Sequence, residues 1–413
     1  MALIEKYYAV LIYGRRIGTL CQKGDFTRFT FNEKYLSDSN RPVLGLRFEE
    51  ALRRPYSSAL RLPRWFSNLL PEGPLREWIA ADRGVSLERE MELLAQVGHD
   101  LPGAVQVLPA DSPDEDWEWP DEDSALAGAE EVSASASPWR FSLAGVALKF
   151  SMLARADRLT VPAVGEYGDW LVKFPDYRYS DVPRNEFTMM SMARDVGIDV
   201  PEVRLVHRDE LDNLPSRMWP GSEEWAYAIR RFDRLSGESR VHIEDFAQVR
   251  DKYPEGKYEG TFETVAALAY RGYDLEALRE TVRRLAFSVT IGNGDAHLKN
   301  WSLIYLDRRI PTLSPAYDLV STTPYSEFQG DREDIGLKFC GSRRFSSITL
   351  SSFDSLESRI DHRFGKSGAH LSEVALEVCK RTLSAWEARR EALAQNPSLA
   401  ANIADWMLNH RLY

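Results

Sequence analysis

The sequence predicts an α+β protein of two lobes, in which a β-rich lobe precedes a mainly helical one. Three observations support this: strand patterns concentrate before residue 235, helical periodicity dominates beyond His242, and a polar loop carrying acids follows that change. With 413 residues, 44% of them hydrophobic, the chain can form two or three domains. We expect a small α+β N-terminal subdomain, an acidic flexible linker, the β-rich lobe and the helical lobe, over residues 1–109, 110–138, 139–235 and 236–413 respectively.

The N-terminal segment opens with a predicted β-hairpin over residues 8–20, because apolar runs flank the pair Gly14-Arg15. The aromatic residues spaced along 26–31 predict a further strand. The cluster Pro71-Glu72-Gly73-Pro74 predicts a turn, and residues 75–97 are largely helical in pattern. This mixture is typical of a small α+β unit.

The linker explains most of the net charge of -11. Residues 110–139 hold ten acids and no lysine or arginine, so the remaining 53 acidic residues nearly balance 52 basic ones. A near-neutral body argues against autonomous nucleic-acid binding, which depends on neutralising phosphates. The linker composition is typical of a solvated, disordered stretch, and its function is unexplained.

The protein is expected to be cytoplasmic and without a membrane segment. No run of residues approaches the roughly 18 to 20 apolar positions of a membrane span, and the first residues lack the apolar core of a signal peptide. The three cysteines, Cys21, Cys340 and Cys379, are widely separated. Neither a disulfide framework nor a zinc site is expected.

Beyond the linker, strand and helix patterns fill both lobes. Strands are predicted over 140–153, 169–174 and 226–232, and a helix over 185–196. The clearest helix covers 274–291, with Asp274 as its N-cap. Further helices are predicted over 371–393 and 402–412.

The loop after the clearest helix has the spacing of a protein-kinase catalytic loop. Asp295 is followed five residues later by Asn300, and a second acid, Asp318, comes after 22 residues whose pattern predicts a β-hairpin. In kinases the first acid accepts the substrate hydroxyl proton, while the asparagine and the later acid hold Mg²⁺ on the phosphates of ATP. The pattern therefore predicts a bilobed protein-kinase-like fold. The alternative is that Asp295 and Asn300 only cap turns.

The β-rich lobe offers matching candidates for ATP binding. Lys173 ends an apolar strand, where a kinase places the lysine that binds the α- and β-phosphates, and Glu186 opens the next helix as its partner. Ser142, Ala144 and Gly145 lie between two strand patterns, where a phosphate-covering loop belongs. The alternatives are a solvated lysine, an acid that complements the helix dipole, and a simple hairpin turn.

Five further residues are weaker candidates. His297 is predicted to orient the base or contact phosphate, and Lys299 to neutralise the transferred phosphoryl group; a backbone hydrogen bond and a solvated side chain are the respective alternatives. Arg230, Arg231 and Phe232 end the strand before the change of lobe, where the hinge beside the adenine ring is expected. Phe232 could equally be a core residue.

Together these motifs resemble the HipA-type serine/threonine kinases, the toxins of bacterial type II toxin-antitoxin modules. The resemblance covers nearly the whole chain, and its last two motifs are specific in combination. The motifs are Tyr13-Gly14-Arg15-Arg16-Ile17-Gly18-Thr19-Leu20, Leu69-Leu70-Pro71-Glu72-Gly73, Gly98-His99-Asp100-Leu101-Pro102-Gly103-Ala104, Ser142-Leu143-Ala144-Gly145, Lys173, Asn185-Glu186, Arg231-Phe232-Asp233-Arg234, Gly294-Asp295-Ala296-His297-Leu298-Lys299-Asn300 and Pro315-Ala316-Tyr317-Asp318-Leu319-Val320-Ser321.

The resemblance implies a kinase that transfers the ATP γ-phosphoryl group to a protein serine or threonine. Family targets include aminoacyl-tRNA synthetases, so the implied outcome is stalled translation, growth arrest and drug tolerance. It implies inhibitory autophosphorylation at Ser142, since a dianion there would repel the phosphates of ATP. It also implies a small helix-turn-helix antitoxin as partner, with DNA bound mainly through that complex.

Two departures from the family pattern concern the ATP site. Val146-Ala147-Leu148-Lys149 stands where the family commonly has Ala-Gln and then a lysine, and Arg230 stands where the hinge tends to carry an acid. Two other functions stay open: a phosphotransferase acting on a small molecule, and a non-catalytic regulator that binds antitoxin or DNA. All catalytic positions are filled, which argues against the second.

Overall fold

The computed structural model describes residues 5–113, 149–155, 158–160, 162, 167–212, 214, 219, 221–235, 239–325, 334–410 and 412. Within these ranges no helix is long and apolar enough to cross a membrane.

The N-terminal unit is an antiparallel sheet with short helices packed against it. In the described residues its five strands lie in the order β4-β3-β2-β1-β5. The predicted hairpin and third strand are confirmed, with Gly14 at a φ of 73° in the turn, a conformation that favours glycine. The elements are β1 (Glu5–Ile12), β2 (Arg15–Lys23), β3 (Phe26–Phe31), α1 (Glu33–Ser37), α2 (Leu46–Glu49), β4 (Tyr56–Ala59), α3 (Arg64–Ser67), α4 (Gly73–Arg83), α5 (Glu90–Val97) and β5 (Val105–Ala110).

A second, mixed sheet follows and carries one helix. Its described strands lie in the order β10-β7-β6-β8-β11-β9; only the β10–β7 pair among them is parallel. The elements are β6 (Lys149–Arg155), β7 (Arg158–Thr160), β8 (Trp170–Lys173), α6 (Val182–Asp195), β9 (Val203–His207), a 3-10 turn (Arg208–Glu210), β10 (Leu211–Asp212) and β11 (Trp225–Arg230).

The rest of the chain is mainly helical, with two small antiparallel sheets, β12-β13-β14 and β15-β16. The elements are β12 (His242–Asp245), α7 (Phe246–Val249), a 3-10 turn (Pro254–Tyr258), α8 (Phe262–Tyr270), α9 (Leu275–Ile291), a 3-10 turn (Leu298–Asn300), β13 (Ser302–Tyr305), β14 (Thr312–Leu313), β15 (Asp334–Phe339), β16 (Ser342–Arg344), a 3-10 turn (Phe345–Ser347), α10 (Leu350–Phe364), α11 (Leu371–Arg389), a 3-10 turn (Arg390–Leu393) and α12 (Pro397–Asn409).

The order of the two lobes confirms the predicted fold class. The clearest predicted helix is α9, and the Asp274 carboxylate caps it by accepting a hydrogen bond from the Ala277 amide at 3.0 Å. The hairpin expected between the two acids is formed by β13 and β14. The polar loop with Asp295 therefore follows directly from a rigid helix and precedes a rigid hairpin.

Strand β11 shows how the second sheet joins two hydrophobic cores. Successive side chains of a strand point to opposite faces. Ala226 and Ala228 lie in the core shared with the N-terminal unit, whereas Tyr227 and Ile229 lie in the core shared with α6 and the helical lobe. The second sheet is thus covered on both faces, and the N-terminal unit packs directly against it.

Candidate functional site

The catalytic-loop motif begins where α9 ends. Gly292 stops the helix at a φ of 69°, and a side chain at this position would collide with Thr323 and Trp406. The Gly294 amide then donates to Thr322 Oγ1 at 2.8 Å. The loop that carries Asp295 is therefore held between the end of α9 and the segment around Thr322.

Asp295 combines a fixed backbone with an accessible carboxylate. Its amide donates to Asn293 Oδ1 at 3.1 Å, and the Tyr258 hydroxyl donates to its Oδ1 at 2.5 Å. The side chain is nevertheless 46% exposed. Burial, and secondarily the Asp295 charge, raises the pKa of Tyr258, so its hydroxyl stays protonated and keeps donating. A carboxylate held at one oxygen and open to solvent can accept a proton from an incoming hydroxyl.

Asn300 and Asp318 meet at the same cavity, which is also lined by Asn293. The Asn300 amide donates from Nδ2 to the Asp295 carbonyl oxygen at 2.8 Å, so it also fixes the loop. Asp318 has a φ of 61°, which is strained for a residue with a side chain and is often found at functional sites. The predicted pair of metal-binding residues is thereby brought together.

Lys173 joins the two lobes. Its Nζ lies 2.6 Å from Glu186 Oε1 on α6 and 2.5 Å from Asp318 Oδ1 in the helical lobe. Burial alone would lower the pKa of Lys173, but Asp318 and Glu186 outweigh it and raise the pKa above its ordinary value. Burial raises the pKa of Glu186 to about 7, and the two lysines Lys173 and Lys149 hold the pKa of Asp318 below its ordinary range despite its burial.

The oxygen ligands suit a hard cation. Magnesium binds through one or two carboxylate or amide oxygens of the protein together with substrate phosphates and water. Asp318 and Asn300 supply such oxygens at one cavity. In the described residues no group of three or more His, Cys, Asp or Glu side chains forms a metal site.

Lys149 is a site residue that was not predicted. It is buried, and it lies directly opposite Lys173 in the register of the antiparallel strands β6 and β8. Burial, and then the charge of Lys173, lowers the pKa of Lys149 to about 8. The sequence contained this lysine directly after the expected phosphate loop, but the strand register that faces it toward Lys173 becomes visible only in the fold.

Three predicted ATP-binding residues, Ser142, Ala144 and Gly145, lie outside the described residues. At the hinge, the Arg230 and Arg231 amides donate to the carbonyl oxygens of Glu202 and Asp169, each at 2.8 Å. The Phe232 ring lies 5.8 Å from the ring of Tyr317, next to Asp318. Phe232 is thus the hinge side chain that the structure brings near the cleft.

The Arg231 side chain is held by contacts to the N-terminal unit, whereas the predicted adenine contact at the hinge needs only backbone atoms and stays a prediction. The guanidinium is buried and donates to Asp233 Oδ2 at 2.9 Å and to Asp100 at 3.3 Å, so it is directed into an ion-pair network with the N-terminal unit. Arg234 joins the same network, 2.8 Å from Asp100. A buried guanidinium needs such carboxylates to offset its lost hydration, so these ion pairs engage the Arg231 side chain. The Arg230 side chain is half exposed, 3.7 Å from Glu202.

The prediction for Lys299 is wrong. Its amine is buried and donates to the Asn68 carbonyl oxygen at 2.9 Å, to Asn68 Oδ1 at 3.0 Å and to Asp245 Oδ2 at 3.1 Å, with Glu72 Oε1 at 3.6 Å. An ammonium has three donors, and these oxygens use them. Lys299 therefore ties the catalytic loop to the N-terminal unit and does not face a transferred phosphoryl group.

His297 lies beside the candidate base without bonding to it. Its Nε2 is 3.9 Å from Asp295 Oδ1, which exceeds hydrogen-bond length, and its ring contacts the Tyr258 ring edge-on at 5.1 Å. Burial lowers the pKa of His297, which favours the neutral ring at neutral pH. The arrangement fits packing that supports Tyr258 and Asp295.

Tyr258, Asn68 and Glu72 reach the site from distant parts of the sequence. The Glu72 carboxylate lies 3.1 Å from the Lys257 amine as well as near Lys299. Burial would raise the pKa of Glu72, but Lys299 and Lys257 lower it below its ordinary value and keep the group ionised. The Pro71-Glu72-Gly73-Pro74 cluster predicted a turn, but not its position against the catalytic loop.

Comparisons with known proteins match both parts of the chain. The model of the HipA N-terminal domain matches residues 8–108, and the model of the HipA-like C-terminal domain matches residues 141–386. The chain is 41% identical to Y4dM of Sinorhizobium fredii, whose name includes the word kinase, over 97% of this chain and 95% of that protein. It is 27% identical to the serine/threonine-protein kinase toxin HipA of Shewanella oneidensis, over 63% of each chain.

A solved structure supports the fold. One chain of the Shewanella oneidensis HipA, HipB and operator DNA complex superposes with a TM-score of 0.72 at 20% identity, over 98% of this chain and 96% of that one. At this level of identity the likeness concerns the arrangement of the chain in space.

Proposed function

The chain belongs to the HipA family of kinases, and from this premise we propose that it is an ATP- and magnesium-dependent serine/threonine protein kinase. One observation supports this above the others: Lys173 of the β-rich lobe binds both Glu186 and Asp318, while Asp295 stays 46% exposed nearby in the helical lobe's loop. These are the parts that phosphoryl transfer needs, namely a cation for phosphates, metal ligands and an open base.

In the proposed reaction Asp295 takes the proton of a serine or threonine hydroxyl. The hydroxyl oxygen then forms a bond to the γ-phosphorus of ATP, the bond to the β–γ bridging oxygen breaks, and ADP leaves. Tyr258 donates to one Asp295 oxygen at 2.5 Å and so holds the orientation of the carboxylate, whose side chain is 46% exposed. Orientation of this kind lowers the entropic cost of reaching the transition state.

The phosphates would be held by charges from both lobes. Lys173 and Lys149 are the buried cations beside the cleft, and Asp318 and Asn300 are the residues that would hold Mg²⁺. When bound, the ion neutralises charge that develops on the phosphates. Glu186 keeps Lys173 in place through the ion pair across α6 and β8.

The test of the enzyme is transfer of labelled phosphate from ATP. Purified protein with Mg²⁺ should incorporate phosphate into itself or a target protein, and Asp295→Asn should lose at least about 100-fold in rate because the proton acceptor is gone. Equal incorporation by Asp295→Asn and the wild-type protein would contradict the proposal. Turnover of ATP without any phosphoprotein in treated lysate would instead favour the small-molecule phosphotransferase.

We further propose that the kinase is the toxin of a type II toxin-antitoxin module, with a translation-related protein such as an aminoacyl-tRNA synthetase as its target. Family membership supports this, as does the likeness to a protein named as a kinase toxin. Expression without an antitoxin should then arrest growth, and Asp318→Ala should relieve the arrest because a metal ligand is removed. Normal growth on expression of the wild-type protein would contradict the toxin role.

The proposed partner is a small HipB-like helix-turn-helix antitoxin, with DNA contacted mainly through the complex. The solved complex with a chain of the same fold contains HipA, HipB and operator DNA, which supports this choice. The near balance of charge outside residues 110–139 supports a secondary role of this chain in DNA binding. Co-purification with the product of a neighbouring reading frame tests the partner.

Inhibitory autophosphorylation is proposed at Ser142. A phosphoserine in a loop that covers ATP would place a dianion beside the nucleotide's own phosphates. Ser142→Ala should remove most self-incorporated label while leaving transfer to a target protein intact. Label that persists on another residue, measured by peptide mass spectrometry, would contradict the assignment.

A further inference from the structure

The Pro71-Glu72-Gly73-Pro74 turn belongs to the N-terminal unit, yet its glutamate meets two lysines of the helical lobe. Glu72 Oε2 accepts a hydrogen bond from Lys257 Nζ at 3.1 Å, and Glu72 Oε1 lies 3.6 Å from Lys299 Nζ. The side chains of Lys257 and Lys299 are 11% and 5% exposed. Buried ammonium groups are costly unless they are paired, so these contacts are firmly specified.

Each of these lysines directly precedes a residue that contacts Asp295. Lys257 precedes Tyr258, whose hydroxyl donates to Asp295 Oδ1 at 2.5 Å. Lys299 precedes Asn300, whose amide donates to the Asp295 carbonyl oxygen at 2.8 Å. The first route, from Lys257 through Tyr258, thus reaches the side chain of Asp295. The second route, from Lys299 through Asn300, reaches its backbone.

Neighbouring contacts strengthen the second route. Asn68 accepts two hydrogen bonds from Lys299 through its carbonyl oxygen and Oδ1, and its Nδ2 donates to the Lys252 carbonyl oxygen at 2.7 Å. Asn68 is buried and lies four residues before Glu72, just before the turn. The short segment 68–72 is therefore fixed against both 3-10 turns, Pro254–Tyr258 and Leu298–Asn300.

We propose that Glu72 and Asn68 are positioning residues for phosphoryl transfer, so that the N-terminal unit completes the catalytic centre by fixing Asp295 through Lys257 and Lys299. This rests on the proposed kinase function, but the contacts that fix Asp295 are made by the protein's own residues. Small displacements of a catalytic group reduce rates strongly, by up to about 100-fold for 1 Å. Neither residue contacts Lys173, and Glu72 acts on the neighbouring Lys149 only through its charge, less strongly than Asp318 does. Nucleotide affinity should therefore change little.

The experiment compares the full-length wild-type protein with Glu72→Gln, which removes the charge and keeps the shape. The initial rate of phosphate transfer is measured over a range of ATP concentrations, and hydrogen exchange is measured for the peptide covering residues 293–301. We expect kcat to fall roughly 10- to 100-fold with KM for ATP within about twofold of wild type, and exchange of that peptide to accelerate. Lys257→Gln removes the same link from the other side, and the double variant should be no worse than either single variant.

The control is Arg309→Gln. The Arg309 guanidinium donates to Asn40 Oδ1 at 3.3 Å across the same boundary, and both residues lie outside the two 3-10 turns. Wild-type kcat and exchange in Glu72→Gln and Lys257→Gln, or an equal loss in Arg309→Gln, would overturn the proposal. If the wild-type protein transfers no phosphate, the kinase function fails, and the exchange comparison still decides the positioning role: faster exchange only in the Glu72 and Lys257 variants supports it, and equal exchange overturns it.

Discussion

Lys149 shows how burial sets the working charge of a single residue. Its amine lies in strand β6 opposite Lys173, and burial together with that neighbouring charge lowers its pKa to about 8. At neutral pH most of the amines are protonated, and above pH 8 most are neutral. In the proposed ATP site, Lys149 therefore loses its charge within an accessible pH range.

From this pKa we predict a pH-dependent affinity for ATP. As pH rises from 7 to 9, the wild-type affinity should fall roughly tenfold, because the free protein must take up a proton to pair with phosphate. Lys149→Arg, whose guanidinium stays charged, should show a nearly flat profile over the same range. Isothermal titration at several pH values measures this, and parallel profiles for both proteins would contradict it.

The site residues differ in how far the sequence could locate them. One short span of the sequence holds Asp295, Asn300 and Asp318, so their spacing alone predicted them as site residues. Tyr258 and Glu72 contact that span only after the chain has folded, and no local pattern marks them. Lys299 was misjudged because a charged residue in a sequence does not reveal its partner, and its amine is paired with buried acceptors of the N-terminal unit. The ion pair of Arg231 with Asp100 was equally hidden in the sequence.

Strand β12 carries two buried titratable groups that oppose each other in their effect on stability. Burial lowers the pKa of His242 to about 4, and its Nε2 lies 2.7 Å from the Leu44 carbonyl oxygen. Burial raises the pKa of Glu244 to about 7; its carboxylate accepts hydrogen bonds from the Leu46 amide and from Trp65. Both side chains face the N-terminal unit, so protonation acts at that boundary.

The signs of these two effects predict opposite behaviour of two variants. Between pH 4 and 6.5 the unfolded chain binds more protons at His242 than the folded chain, so acidification lowers the free energy of unfolding. Between pH 4.5 and 7 the folded chain binds more protons at Glu244 than the unfolded chain, so acidification raises the free energy of unfolding. Relative to wild type, His242→Gln should therefore reduce the rise of unfolding free energy with pH, and Glu244→Gln should increase it, each by up to about 1.4 kcal/mol per pH unit. Denaturant unfolding at pH 5, 6 and 7 provides the slopes; slopes that change in the same direction would refute the assignment.

Elements with strong periodicity were predicted well, whereas others were not. The face of α9 carries a regular apolar stripe and the hairpin of β13 and β14 has clear flanking runs, so both could be located. Helix α10 was not predicted: it buries only Ser352, Phe353, Leu356 and Ile360, so its apolar stripe is narrower than that of α9. Strands β15 and β16 are short and pair mainly with each other, so their pattern is weak.

At the scale of the whole molecule, the N-terminal unit and the β-rich lobe share a hydrophobic core and a buried ion-pair network. Asp100 of the N-terminal unit pairs across the boundary with Arg231 and Arg234 of the β-rich lobe, and both arginines also pair with Asp233 of their own lobe. The Gly103 amide adds a hydrogen bond to Asp233 at 2.7 Å. A network of this kind is costly to break because the remaining charges stay buried.

We predict that Asp100→Ala lowers the free energy of unfolding by about 3–5 kcal/mol, since two guanidinium groups lose a buried partner. Thermal unfolding should stay a single transition, shifted to lower temperature, because the two sheets cannot separate without opening their common core. Glu33→Gln, which removes an exposed pair with Arg53, serves as control and should leave Tm unchanged. Two resolved transitions in Asp100→Ala would show that the units fold independently.

The contact of Lys173 with Asp318 also bears on how quickly a nucleotide can be captured. This ion pair is made by the chain's own side chains and holds the β-rich lobe to the helical lobe across the cleft. Association should then proceed at a rate set by diffusion and charge, without a slow closing step before it. An incoming metal must compete with the Lys173 amine for the Asp318 carboxylate. That competition would hasten release of the product.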